Sequence, residues 1–150
     1  MLRALWTQPQ VTFKGKWHQL DGVGITPLPS QQPIPVWAGG SSEAAVKRIA
    51  RFADGWIPGA WTAEAAAEAI PSFISALKSA GRDPESVAIQ CRLRILNGTP
   101  EAWVKARDGF EAAGATHVGV VINAPEYKSI DQHITAIRSF AEAVGMSAKT

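Results

Sequence analysis

PIPVWAGGSSEAAVKRIARFADGWIP, residues 33–58, decides how this chain is read. An apolar run, Ile34–Ala38, predicts a short strand. It stops at Gly39-Gly40 and Ser41-Ser42. An amphipathic run follows, with Val46, Ile49, Ala50 and Ala53 on one face and Lys47, Arg48 and Arg51 largely opposite, so a helix is expected from about Ser42 to Ala53. Gly55–Pro58 then predicts a second short strand. Two glycines between a strand and a helix allow a phosphate to approach the backbone, where the first helical turn offers unspent N–H groups. The serine hydroxyls add donors. A tight turn with a serine cap is the plainer account of the same residues, and the stretch matches neither a GxGxxG fingerprint nor a Walker loop.

The strand–helix rhythm continues to the end of the chain. Thr62 caps an expected helix reaching about Ala80, with Ala66, Ile70, Phe73, Ile74 and Leu77 on one stripe and Pro71 predicting a kink or break. Gly81 and Arg82-Asp83-Pro84 end it. Val87–Leu96 is the clearest strand, alternating Val87, Ile89, Cys91, Leu93 and Ile95 against Gln90, Arg92 and Arg94. Thr99-Pro100 opens a helix over 100–113 carrying Trp103, Phe110 and Ala113 on one side. Thr116–Ile122 is the next strand. Ser129-Ile130-Asp131-Gln132 has the form of a capping box before a last helix, whose face is predicted to be Ile130, Ile134, Ile137, Ala141 and Val144.

Upstream, MLRALWTQP reads as the end of a helix, with Leu2, Leu5 and Trp6 on one face and Pro9 as a stop. In QVTFKGKWHQLDGVGITPLP, which begins at Gln10, Val11–Phe13 and Trp17–Leu20 flank Lys14-Gly15-Lys16 and predict a hairpin. Residues 1–32 thus form a helix and an inserted segment, and residues 33–150 form four βα units. Such alternation means a parallel sheet with helical crossovers. A doubly wound open sheet and part of an eight-fold barrel both satisfy it. Length favours the open sheet, because the chain has 150 residues and a complete barrel takes about 250.

Composition narrows the function classes. With 46% hydrophobic and 19% charged residues and a formal net charge of +2, the chain suits a globular domain without a nucleic-acid footprint. No apolar run approaches a membrane span and no signal pattern opens the chain, so a cytoplasmic setting is expected. Cys91, the single cysteine, excludes an internal disulfide and a cysteine-based zinc site. His18, His117 and His133 are scattered without metal-ligand spacing, so no metal is expected. The six tryptophans are expected in core or interface positions. No nucleophile–base pair stands out. Arg92 and Arg94 face away from the apolar side of their strand; in a closed barrel that side is the lumen, where Arg94 near the ligand-bearing end could hold a substrate anion. A salt bridge or a solvated face is the alternative.

In order along the chain, LRALWTQPQVTFKGKWH, PLPSQQPIPVWAGG, ARFADGWIP, AGRDPESVAI and GATHVGVV resemble the C-terminal part of the luciferase-like monooxygenase family, flavin- or F420-dependent oxidoreductases built on a TIM barrel. The resemblance covers nearly the whole chain and reverses the preference for an open sheet. It implies an α/β fold, the C-terminal half of a (β/α)8 barrel, with a β-hairpin-like insertion ahead of four βα units. It implies that Gly39 and Gly40 bind the phosphate of FMN or coenzyme F420, assisted by Ser41 and Ser42. It also implies redox chemistry by hydride transfer on a small organic substrate, with oxygen activation in the flavin monooxygenases. Nothing in the chain corresponds to the first half of such a barrel, so a fragment is expected, inactive alone and prone to self-association or to pairing with a complementary half. A non-catalytic α/β module binding a phosphorylated ligand, or an assembly subunit, is the alternative.

Overall fold

A computed structural model describes residues 1–96, 98–123 and 125–146. The chain divides into two compact units, Met1–Val36 and the stretch from Trp37 onward.

The first unit begins with a short helix, α1 (Leu2–Thr7), ended by Gln8 and Pro9. An antiparallel pair follows, β1 (Val11–Lys14) and β2 (Gln19–Val23), in the register Phe13↔Leu20 and Lys14↔Gln19. The hairpin is present, but its second strand starts at Gln19 rather than Trp17. The reason is local: the Gly15 N–H donates to the His18 carbonyl at 2.9 Å, which takes residues 16–18 into the turn.

The second unit alternates without interruption: β3 (Trp37–Gly39), α2 (Glu43–Phe52), β4 (Gly55–Ile57), α3 (Ala63–Ser79), β5 (Ala88–Arg94), α4 (Pro100–Ala112), β6 (His117–Val121) and α5 (Ile130–Ala143). All strand pairs are parallel and the order is β3-β4-β5-β6. This order separates the two architectures. A doubly wound sheet reverses its strand order to place helices on both faces. Strictly sequential strands joined by right-handed crossovers place every helix on one face. The burial follows suit. Trp56, Ile89, Cys91 and Leu93 face the helices and are buried together with Ile49, Ile70, Phe73, Leu77 and Phe110. The other face carries Trp37, Gln90, Arg92, Arg94 and His117.

Three expectations are corrected. The strand expected at Ile34–Ala38 begins at Trp37 and reaches Gly39, because Pro33 and Pro35 have no N–H to give to a ladder. Pro71 does not break α3: it is exposed, while Ile70, Phe73 and Leu77 anchor the helix on either side of it. The face predicted for α5 is rotated. Phe140 is buried beside Trp103, with ring centroids 6.0 Å apart, and Ala136, Ala143 and Val144 pack with it. That leaves Ile130, Ile134 and Ile137 exposed at 78%, 40% and 48%.

Side-chain hydrogen bonds also join separate elements. Arg82, in the turn after α3, donates through Nη1 to the carbonyls of Ala50 and Ala53 at 3.1 and 2.7 Å, placing a cation on the last turn of α2. Thr116 receives the Ile89 N–H on its Oγ1 at 2.8 Å, which ties the start of β6 to β5.

Candidate functional site

The carboxyl ends of β3, β4 and β5 carry the residues with unspent binding capacity. At the end of β3 the loop Gly40-Ser41-Ser42 turns the chain into α2. Gly40 has φ +141°, and a Cβ there would lie 2.9 Å from the Ala45 Cβ. Only glycine meets both conditions without strain. Gly39 is different: a Cβ on it would meet nothing closer than the Ile57 carbonyl oxygen at 3.7 Å.

Two hydrogen bonds hold Gly40. Its N–H donates to the Ile57 carbonyl at 3.4 Å, and its carbonyl accepts the indole N–H of buried Trp56 at 2.8 Å. The loop is therefore locked to β4 from behind. Ser42 is the N-cap of α2, and its Oγ accepts from the Ala45 N–H at 3.3 Å. What remains is a set of donors. The N–H groups of Ser41, Ser42, Glu43 and Ala44 have no partner among the described residues, as expected for the first turn of a helix. Glu43 does not spend them, since its carboxylate is turned to Lys47, whose hydrogen bond and charge lower the Glu43 pKa below the usual carboxylate value. The helix N-terminus, the free amides and the exposed Ser41 hydroxyl together suit an oxyanion.

Of the residues read from the sequence, Gly39, Gly40, Ser41 and Ser42 come together on this loop, but in unequal roles. The Gly40 N–H is consumed by the sheet, so the glycine shapes the loop and the donors lie one to four residues later. Arg94 stands at the far end of β5, on the face without helices. Trp61, which follows the end of β4, lies beneath it: the Arg94 Cζ is 5.0 Å and the Arg92 Cζ 5.8 Å from the Trp61 ring centroid. Neither arginine has a carboxylate partner among the described residues, which sets aside the salt-bridge alternative.

The amino ends of the strands on the same face are filled instead. Trp37 lies over Gly55, where a Cβ would fall 2.2 Å from its ring, and meets His117 edge-on with centroids 5.2 Å apart. Gln90 covers Gly119, whose added Cβ would sit 2.3 Å from the Gln90 Nε2. The sequence reading missed Trp56 as the anchor of the loop and Trp61 as the partner of the arginines. Asp54-Gly55-Trp56 carried a local signal, an aromatic beside a glycine at the start of a strand, whereas Trp61 carried none. Among the described residues no cluster of three His, Cys, Asp or Glu side chains could hold a metal ion, and no helix is long and apolar enough to cross a membrane. A cavity of about 790 Å³ lies between α2 and α3, where Lys47, Arg51, Ser72 and Ser79 are among its lining, and Ser41 and Glu43 join it to the rim.

The family model described as luciferase-like monooxygenase matches residues 1–133. The chain belongs to that family. Its fold is an α/β fold with a parallel sheet, and its neighbours among solved structures are TIM-barrel-like. An F420-dependent hydroxymycolic acid dehydrogenase of Mycobacterium tuberculosis is 26% identical over 108 residues, 72% of this chain and 29% of the relative. An F420-dependent secondary alcohol dehydrogenase, solved with an F420-acetone adduct, superposes with a TM-score of 0.73 at 17% identity, covering 95% of this chain and 58% of that one. A monooxygenase from Streptomyces bottropensis superposes with a TM-score of 0.72 at 17% identity, over 95% of this chain and 57% of its own. This luciferase-like chain therefore spans under a third of that curated relative and somewhat more than half of the solved ones.

Proposed function

We propose that this chain supplies the cofactor-phosphate end of an F420- or FMN-dependent oxidoreductase acting on a small organic substrate. One observation carries the reading: four adjacent backbone N–H groups, Ser41 to Ala44, stand unspent at the strand-to-helix turn, and Gly40 is held in place by Trp56. A phosphate there would accept hydrogen bonds from these amides and from the Ser41 hydroxyl, under the positive end of α2. Gly39 keeps the rim clear, since any side chain on it would project from the sheet face without helices. The bound cofactor supplies the hydride chemistry; the protein positions it and sets its electrostatics. F420 is favoured over FMN by the F420-dependent relatives. Arg94, on the same face and without a carboxylate partner among the described residues, is the substrate-side residue.

A single change tests the cradle. Pro is well tolerated at the first helical position, and Ser42 before it is already extended at φ −67°, ψ 148°. Glu43→Pro therefore deletes one N–H donor with the fold kept, and Glu43→Ala controls for the lost charge. Titrating ¹⁵N-labelled chain with F420 and with FMN, we expect amide shifts at Ser41–Ala44, and binding about tenfold weaker in the proline than in the alanine variant, equivalent to ~1.4 kcal/mol. Equal binding by the two variants would remove the loop from the site.

A second reading concerns assembly. Among the described residues β6 is paired on one side only, and the α5 stripe Ile130, Ile134, Ile137 is exposed. In a closed barrel an open strand edge is paired and an apolar helix face is covered by a further βα unit. The chain is read as half of such a barrel, completed by a complementary half or, failing that, by self-association.

A further inference from the structure

We propose that Trp61, Arg92 and Arg94 form a recognition platform for an anionic group, a carboxylate, sulfonate or phosphate, on the organic substrate. The proposal rests on the reading of this rim as a redox site and adds the substrate class to it.

Arg92 and Arg94 share an orientation and a lack of ionic partners among the described residues. Both leave the strand on the face without helices, at positions opposite Gly119 and Val121 of β6, neither of which can pair with a cation. Neither guanidinium is paired with a carboxylate among the described residues. Their shared neighbour is the Trp61 ring, at 5.8 and 5.0 Å from the two Cζ atoms. A ring face attracts a cation through its quadrupole but accepts none of its N–H groups in a conventional hydrogen bond. The two forks are thus held in place with their donors unspent among the described residues.

Trp61 is itself fixed. The Arg92 N–H donates to the Ala60 carbonyl at 3.5 Å, which draws the end of β4 across β5, and Thr62 caps α3 immediately afterwards. The indole is 41% exposed, so one part of it remains available to a ligand. Two like charges side by side repel each other, and a bridging oxyanion is the partner that turns this repulsion into attraction. Guanidinium geometry matches a planar carboxylate or a phosphate bidentately. Gly39 and Gly40 lie two strands away on β3, so this platform is separate from the amides of Ser41–Ala44.

The test uses the whole chain with its tryptophan indoles ¹⁵N-labelled and the Trp61 signal assigned by Trp61→Phe. The probes are benzoate, its uncharged counterpart benzamide, and inorganic phosphate. Benzoate is expected to shift the Trp61 signal saturably, with benzamide at least tenfold weaker. Arg94→Gln should weaken benzoate at least tenfold and Arg92→Gln several-fold, both with an unchanged melting temperature because both side chains are exposed. No benzoate shift, equal shifts by benzamide, or indifference to Arg94→Gln would overturn the proposal. Inorganic phosphate should also move Trp61, with a response that falls in Arg94→Gln; a phosphate response at Trp61 untouched by Arg94→Gln would overturn the proposal. A loop that answers to phosphate while Trp61 ignores benzoate keeps the redox reading and sinks this one. Benzoate on Trp61 with a loop indifferent to phosphate and to both cofactors does the reverse.

Discussion

Trp56, buried on the helix side of the sheet, donates its indole N–H to the carbonyl of Gly40 at 2.8 Å. One side chain thereby ties the rim loop to the core, where its ring also packs on Phe73 with centroids 4.3 Å apart. Trp56→Phe keeps most of the packing and removes the donor. The expected loss is about 2–4 kcal/mol, from an unsatisfied carbonyl and a small cavity. Urea unfolding measures it, and the Ser41–Ala44 amides should broaden or shift in the folded variant. A loss below ~0.5 kcal/mol would mean that the loop does not depend on this bond.

The two rim glycines should separate in a simple experiment. Gly40→Ala forces a Cβ into a backbone at φ +141° and against Ala45, and is expected to cost about 1–3 kcal/mol. Gly39→Ala meets only ordinary contact and should stay within about 0.5 kcal/mol of the parent. Equal midpoints for the two variants would contradict the conformational distinction.

Arg82 tethers the C-terminus of α2 through two carbonyls, those of Ala50 and Ala53. Arg82→Ala should destabilise by about 1–2 kcal/mol, and Arg82→Lys should recover only part of that because one ammonium cannot reproduce the fork. Denaturation at two salt concentrations checks it: the difference should persist at high salt if hydrogen bonding rather than bare charge carries it.

The exposed isoleucines of α5 predict association. Ile134→Lys with Ile137→Lys should leave the melting temperature within a few degrees while lowering the apparent mass in light scattering, or reducing apolar-dye binding. A melting temperature that falls by ten degrees or more would place these side chains in the monomer's own core.

Cys91 is fully buried, and burial raises its thiol pKa. The sign follows from linkage: above the unfolded thiol's value, near pH ~8.5, the unfolded chain releases a proton that the folded chain keeps. Stability from this group is whole below that pH and declines as pH rises through the alkaline range. Cys91→Ala should flatten that part of the profile, and a thiol reagent should label the native protein only as fast as it unfolds. Rapid labelling of folded protein would refute the burial argument.

The sequence by itself determined the βα rhythm. Apolar spacing placed Val46, Ile49 and Ala50 on the buried face of α2, and Ile70, Phe73 and Leu77 on that of α3, because a helix repeats its inward face on a fixed period. Caps were equally legible: Ser42, Thr62, Thr99 and Ser129 each accept an N–H from the first turn of the helix they precede. So was the resemblance to the luciferase-like family, carried by the order of its motifs. Tertiary structure alone decided the rest. Strand order, not strand count, separated the one-sided sheet from a doubly wound one. The packed face of α5 was set by Phe140 meeting Trp103, a contact between residues far apart in the chain. The roles of the two glycines, of Trp56 behind the loop and of Trp61 beneath the arginines depend on which neighbours the folded sheet brings within a few ångströms. Period and capping are local properties of a chain, whereas hydrogen-bond partners and ring contacts between strands exist only once distant segments have met.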